Sequence, residues 1–117
     1  MSEERRRAKR HALWVPIQVE AGSDVKMLAV SRNISFSGVL VIAGAKLDDG
    51  ARVSLRLDIP TESEERQVEG EIVRVEVNEE DPDGLWRYRL AIRFDEEVPE
   101  LEPVLERLEE RASRPPT

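Results

Sequence analysis

The 117-residue chain has no cysteine and a single histidine. Without thiols there is no disulfide, no thiolate metal site and no cysteine nucleophile, which fits a cytoplasmic location. Aromatic residues are few: two Trp, one Tyr and two Phe. That is too sparse for the stacking platform on which single-stranded nucleic acid is held. No apolar run approaches the roughly 20 residues a membrane-spanning helix needs. No apolar segment follows the basic N-terminal residues, as a secretory signal would require. Neither membrane insertion nor export is expected. A hydrolase elbow, a P-loop and zinc-ligand spacing are all missing. Carboxylates abound, but they fall in loops and in the C-terminal stretch, where a solvated face is the ordinary reading. The composition therefore points away from an enzyme and from any cofactor.

What the chain does have is charge, unevenly placed. Its net charge is −7. Residues 1–11 set Arg5, Arg6, Arg7, Lys9 and Arg10 against Glu3 and Glu4, a net of +3, which leaves −10 for the remainder. A small basic arm on an acidic body suits a small anionic ligand. It does not suit a nucleic acid polymer, which the body would repel.

Beyond the arm, the pattern is that of strands. In "LWVPIQVE" (13–20) Leu13, Val15, Ile17 and Val19 alternate with Trp14, Pro16, Gln18 and Glu20, and Pro16 suggests an edge position. "AGSD" (21–24) turns the chain into a second strand over 25–35, and "GVLVIA" (38–43) reads as a third. Asp49-Gly50 signals a tight turn before Val53, Leu55, Leu57 and Ile59 alternate in a fourth strand. "TESEE" (61–65) is a polar hairpin loop. In the fifth strand (68–77), Val68, Gly70 and Ile72 hold one parity and Val73, Val75 and Val77 the other, the mark of a bulge or of burial on both faces. After a loop at 78–84, "LWRYRLAIRF" places Trp86, Tyr88, Leu90, Ile92 and Phe94 inward. Leu101, Val104, Leu105 and Leu108 then fall on one helical stripe, with Pro103 in the first turn. With glutamates around its apolar stripe, this helix most simply docks on the strands; the alternative is that it mediates dimerisation or contact with a partner. The expected fold is a six-stranded antiparallel β-barrel with a C-terminal α-helix, spanning 12–111. A flexible basic arm (1–11) precedes it and a disordered tail (112–117) comes after it.

Two short segments carry chemistry. Arg6 and Arg10 form an Arg-x-x-x-Arg pair whose planar forks suit phosphate and guanine O6/N7. Taken alone, such a pair is an ordinary solvated tail. "NISFSG" (33–38) joins the second and third strands, and alone it is an ordinary turn. Asn33 and Ser35 share a strand parity, so an amide and a hydroxyl are expected to face the same way, and Gly38 permits tight turning and close backbone approach. His11 reads as an exposed, incidental neighbour of the arginines.

Together, the arm before the first strand, Asn-x-Ser-x-x-Gly after the second, and a six-stranded barrel closing on "YRLAIRF" and a helix resemble the PilZ domain. That family is the bacterial receptor module for cyclic-di-GMP (c-di-GMP). The resemblance runs from about Arg5 to Arg111. It implies that Arg6 and Arg10 hold the guanines and phosphates, and that Asn33, Ser35 and Gly38 contact a guanine and the ligand backbone. Asn33 stands where the family more often has aspartate, a swap that keeps an acceptor, adds a donor and loses a charge. Arg5 directly precedes the pair, where the family's extra arginine tends to accompany an intercalated ligand dimer, so the resemblance allows either one or two c-di-GMP molecules per chain. Ala91 replaces a glycine common in the last strand. The implied function is a c-di-GMP receptor, and the expectation is that binding orders residues 5–11 over the 33–38 surface and so presents an altered surface to an unidentified downstream protein. The alternative is a protein-binding adaptor of the same fold that takes no nucleotide.

Overall fold

The structure, a computed structural model, describes residues 9–59 and 65–113. Six antiparallel strands form a closed barrel: β1 (Pro16–Ala21), β2 (Val25–Ile34), β3 (Gly38–Ala43), β4 (Arg52–Leu57), β5 (Arg66–Val77) and β6 (Tyr88–Phe94). Their order around the barrel is β1-β2-β3-β6-β5-β4, and β1 pairs with β4 to close it. Closure leaves no long edge for another chain to pair with. One helix, α1 (Leu101–Ser113), comes after β6.

Alternation builds the core as expected. Ile17, Val19, Val39, Val41, Leu55, Leu57, Leu90 and Ile92 point inward and are buried, and Leu101, Val104 and Leu105 of α1 join the same cluster. The helical stripe is therefore a docking face. Burying such side chains is worth roughly 1.5–3 kcal/mol each. The strands are less uniformly short than expected, since β2 has 10 residues and β5 has 12.

Several boundaries differ from the sequence reading, and two of them have a clear physical reason. Leu13 and Val15 are buried like strand residues, yet β1 begins only at Pro16. The Ser31 hydroxyl intervenes there: it accepts from Val15 N (2.8 Å) and donates to the Leu13 carbonyl, replacing ladder bonds. Pro16 thus occupies the first position of a strand, where its missing N–H costs little, and not a sheet edge. At the other end of the chain, "LW" of "LWRYRLAIRF" stays in the preceding loop. Asn78 holds that loop, donating to Trp86 O at 2.6 Å, and Leu85 is exposed. Finally, α1 runs through Ser113, two residues past its expected end. The mobility expected of the arm and tail falls largely on residues 1–8 and 114–117, which, with most of the "TESEE" loop, lie outside the described residues.

Candidate functional site

On the outer face, four neighbouring strands line up one residue each in a transverse row. Asn33 of β2 pairs with Leu40 of β3, Leu40 with Ala91 of β6, and Ala91 with Arg74 of β5. At roughly 4.8 Å per interstrand step, the row runs about 14 Å from amide to guanidinium. Beside it, Gly38 pairs with Arg93. Gly38 and Ala91 keep part of the floor low, Leu40 and Val73 add apolar surface, and the longer arginines stand at the edges of a groove of about 380 Å³ that Asn33 and Ser37 also line. Among the described residues its charged walls are three arginines, and none of their acidic side chains lines it.

Two β-bulges aim the row. In β2, Ala29 and Ser31 point inward, so strict alternation would bury Asn33 as well. The register instead shifts between Ser31 and Asn33, which sends Asn33 outward and Ile34 inward. In β5, Val68, Gly70 and Ile72 point inward, and the shift between Ile72 and Arg74 turns Arg74 out. Each bulge inserts one residue and re-aims the side chains after it, as bulges near functional sites do. The parity change along 72–77 was legible in the sequence. That of β2 was hidden because Ser31 is a polar residue at an inward position.

Arg10 reaches the groove from the arm, and its Nη1 donates to Asn33 Oδ1 at 2.7 Å. These two predicted site residues are brought together. The next residue corrects an expectation: His11 is not exposed but fully buried. Its Nδ1 lies 2.8 Å from Glu109 Oε1, its Nε2 lies 3.4 Å from Glu102 Oε2, and its backbone bridges Ile34 in both directions. A buried imidazole is tolerated because both ring nitrogens have partners. His11, a residue grouped with the flexible arm on sequence, is thus packed into the body of the barrel.

Ser35 does not stand beside Asn33. It lies in the turn after β2 with its side chain wholly buried, accepting from Ser37 N (3.1 Å) and Gly38 N (3.2 Å). Its hydroxyl shapes the turn from within. Gly38 is required for close approach rather than for a left-handed backbone: a Cβ there would lie 2.6 Å from the Ile92 carbonyl oxygen. Arg5 and Arg6 lie outside the described residues.

The groove's other cations are lightly held. Arg74 Nε is 3.6 Å from Glu76, and Arg93 Nη2 is 3.2 Å from Glu71, with both arginines largely solvated. Such pairs contribute little and exchange partners readily. Arg74, Arg93 and Ser37 were not singled out on sequence. For the two arginines the available signal was outward parity, read with the β5 bulge. Among the described residues no cluster of His, Asp or Glu has the arrangement of a metal site. No helix among them is long and apolar enough to cross a membrane.

The comparisons agree with this geometry. The family model described as PilZ domain matches residues 4–110. The chain is similar to the solved inhibitor of motility MotI/DgrA of Bacillus subtilis, with TM-score 0.70 and 19% identity over 92% of this chain. It spans about half (53%) of that longer chain. It is also similar to the PilZ domain of YcgR from Escherichia coli, solved with c-di-GMP (TM-score 0.68, 18% identity, 94% of this chain and 95% of that one). A third likeness is the PilZ domain of CeSA from a cellulose-synthesizing bacterium (TM-score 0.58, 19% identity, 91% and 99%). At these identities the structures speak for the fold. No curated protein matches the sequence significantly.

Proposed function

Because the chain belongs to the PilZ domain family, we propose that it is a c-di-GMP receptor whose ligand lies in the groove over β3, β6 and β5. The observation that carries this is local charge. A chain of net charge −7 gathers Arg10, Arg74 and Arg93 around a floor of Gly38 and Ala91, with an amide at one end. A cyclic dinucleotide is a dianion with two flat guanines, and each feature has a counterpart on it. Guanidinium forks pair phosphate oxygens or guanine O6/N7 and can stack on a base. The Asn33 amide offers both a donor and an acceptor to a guanine edge. The small floor lets a planar ring approach the sheet.

Arg10 commits one N–H to Asn33, which leaves four of its five donors for a ligand. Arg6, four residues earlier in the arm, supplies the second fork of the pair. Ser35 acts indirectly, by setting the turn on which the groove's edge rests, while Gly38 forms part of the floor itself. Arg5 extends the arm's charge so that a second, intercalated c-di-GMP is accommodated. The output is a protein-interaction surface altered by ligand and arm, read in the cytoplasm by a downstream protein; no catalysis is involved.

Calorimetric titration with c-di-GMP tests this directly. The wild-type chain binds in the low-micromolar range or tighter, with two ligands per chain. Arg10→Ala weakens binding about 100-fold, as truncating one partner of a desolvated charge pair typically costs 2–5 kcal/mol. No heat from the wild type at high ligand concentration sinks the receptor reading and leaves the nucleotide-independent adaptor.

A further inference from the structure

The receptor reading uses Arg10 but leaves the buried cluster behind it unexplained. His11 has no exposure, and its partners come from one helix: Glu102 and Glu109. Seven residues apart, they lie two turns from each other on one face of α1. The same Glu109 also sits 3.9 Å from Lys9. Both neighbours of Arg10 in the chain are therefore tied to α1, while Arg10 itself faces Asn33. The segment leading into α1 holds the rear of the other motif as well. Val98 N donates to Phe36 O at 2.8 Å, and Phe94 N to Ser37 O at 2.9 Å. Yet no residue of α1 lines the groove.

We propose that His11 is a positioning residue for Arg10, clamped by Glu102 and Glu109, so that docking of α1 and binding of c-di-GMP form one coupled equilibrium. The physical reason is that an imidazole shut off from water must keep partners on its ring nitrogens. If α1 leaves, His11 loses both carboxylates and must itself seek water. Doing so opens its backbone bridge to Ile34, and with it the placement of Arg10. A helix of 13 residues is marginal alone, so undocking and melting go together. Coupling is reciprocal: ligand that fixes Arg10 strengthens helix docking by the factor by which docking strengthens ligand binding. The helix is thereby the element through which occupancy of the groove changes a surface distant from it. This rests on the receptor reading for the identity of the ligand, but the clamp itself does not.

The test uses the full chain with Glu102→Ala and Glu109→Ala combined. The double variant retains the far-UV signature of the barrel and binds c-di-GMP about tenfold more weakly. Glu102→Gln with Glu109→Gln, whose amides still reach the ring, keeps most of the affinity. Val53→Ala, which destabilises the barrel away from the groove, leaves affinity within twofold, so loss of stability alone does not mimic the effect. In the wild type, c-di-GMP slows hydrogen exchange along α1. Unchanged affinity in the double variant, or exchange along α1 indifferent to ligand, overturns the coupling. If the wild type binds no c-di-GMP, the receptor reading fails separately. The clamp is then judged on amide exchange at His11 and Ile34: acceleration in the double variant sustains it, and no change overturns it.

Discussion

Two grooves of similar size lie on the same barrel. The larger, about 450 Å³, is lined by Glu69, Asp95, Glu96, Glu97 and Glu100, with Arg66 among them. The smaller, about 380 Å³, is walled by Arg10, Arg74 and Arg93. Volume alone favours the first, whereas the chemistry of a dianionic ligand favours the second. Several carboxylates in one cleft repel an anion at close range, where salt screens least. Strand β5 serves both grooves. Its first half presents Gln67 and Glu69 outward to the acidic one, and after the bulge it presents Arg74 to the basic one. A single inserted residue separates two faces of opposite character on one strand.

The contrast can be broken most severely at Gly38. In Gly38→Val the new Cβ meets the Ile92 carbonyl at 2.6 Å, so β3 must move off β6. Overpacking of this kind costs about 1–3 kcal/mol. Denaturant melts should show that loss, and titration should show c-di-GMP binding abolished with it. Charge sharpens the comparison next. Arg74→Ala is expected to weaken c-di-GMP binding about tenfold, an ordinary charge-assisted hydrogen bond of about 1.4 kcal/mol. Glu96→Gln with Glu97→Gln, in the acidic groove, should change affinity by less than twofold at physiological salt. Equal effects from the two grooves would show that overall charge, rather than the basic groove, governs binding.

A smaller effect is expected at Ser35→Ala, which leaves the buried Gly38 N–H without its hydroxyl partner. Stability should fall by about 1–2 kcal/mol, with affinity falling only through the loosened turn. Smallest is Glu80→Gln. The hydrogen bond from Arg32 holds the Glu80 carboxyl below its ordinary range. A depressed carboxyl stabilises the fold above its unfolded pKa and loses that contribution as pH falls through the folded one. The slight instability of Glu80→Gln at neutral pH should therefore vanish in acid. A gap between wild type and variant that persists in acid would deny this pair its electrostatic role.

Much of the architecture was legible because period-two burial is a local property. β3 is bounded as its β-branched run suggested, and the stripe Leu101, Val104, Leu105 docks as its spacing implied. The β5 bulge could be read because valines of both parities announce it. The site was legible only as motif fragments. Asn33 and Gly38 reach one groove, but Ser35 turned inward, because the chain leaves β2 at Ile34 and parity no longer applies in a turn. Arg74 and Arg93 were not found, because nothing in their neighbours says which strands flank them.

By itself the sequence determined which apolar stripes had to leave water, how many strands and helices they would form, and that positive charge would gather in the arm. Those come from composition and local periodicity, which each segment carries with it. Tertiary structure alone decided that β6 lies between β3 and β5, and so that Asn33 and Arg74 share a row. It alone decided that the one histidine is buried between two helix carboxylates some 90 residues away. Pairing between distant strands is set by closure of the barrel and packing of its core, and neither is encoded in any one segment.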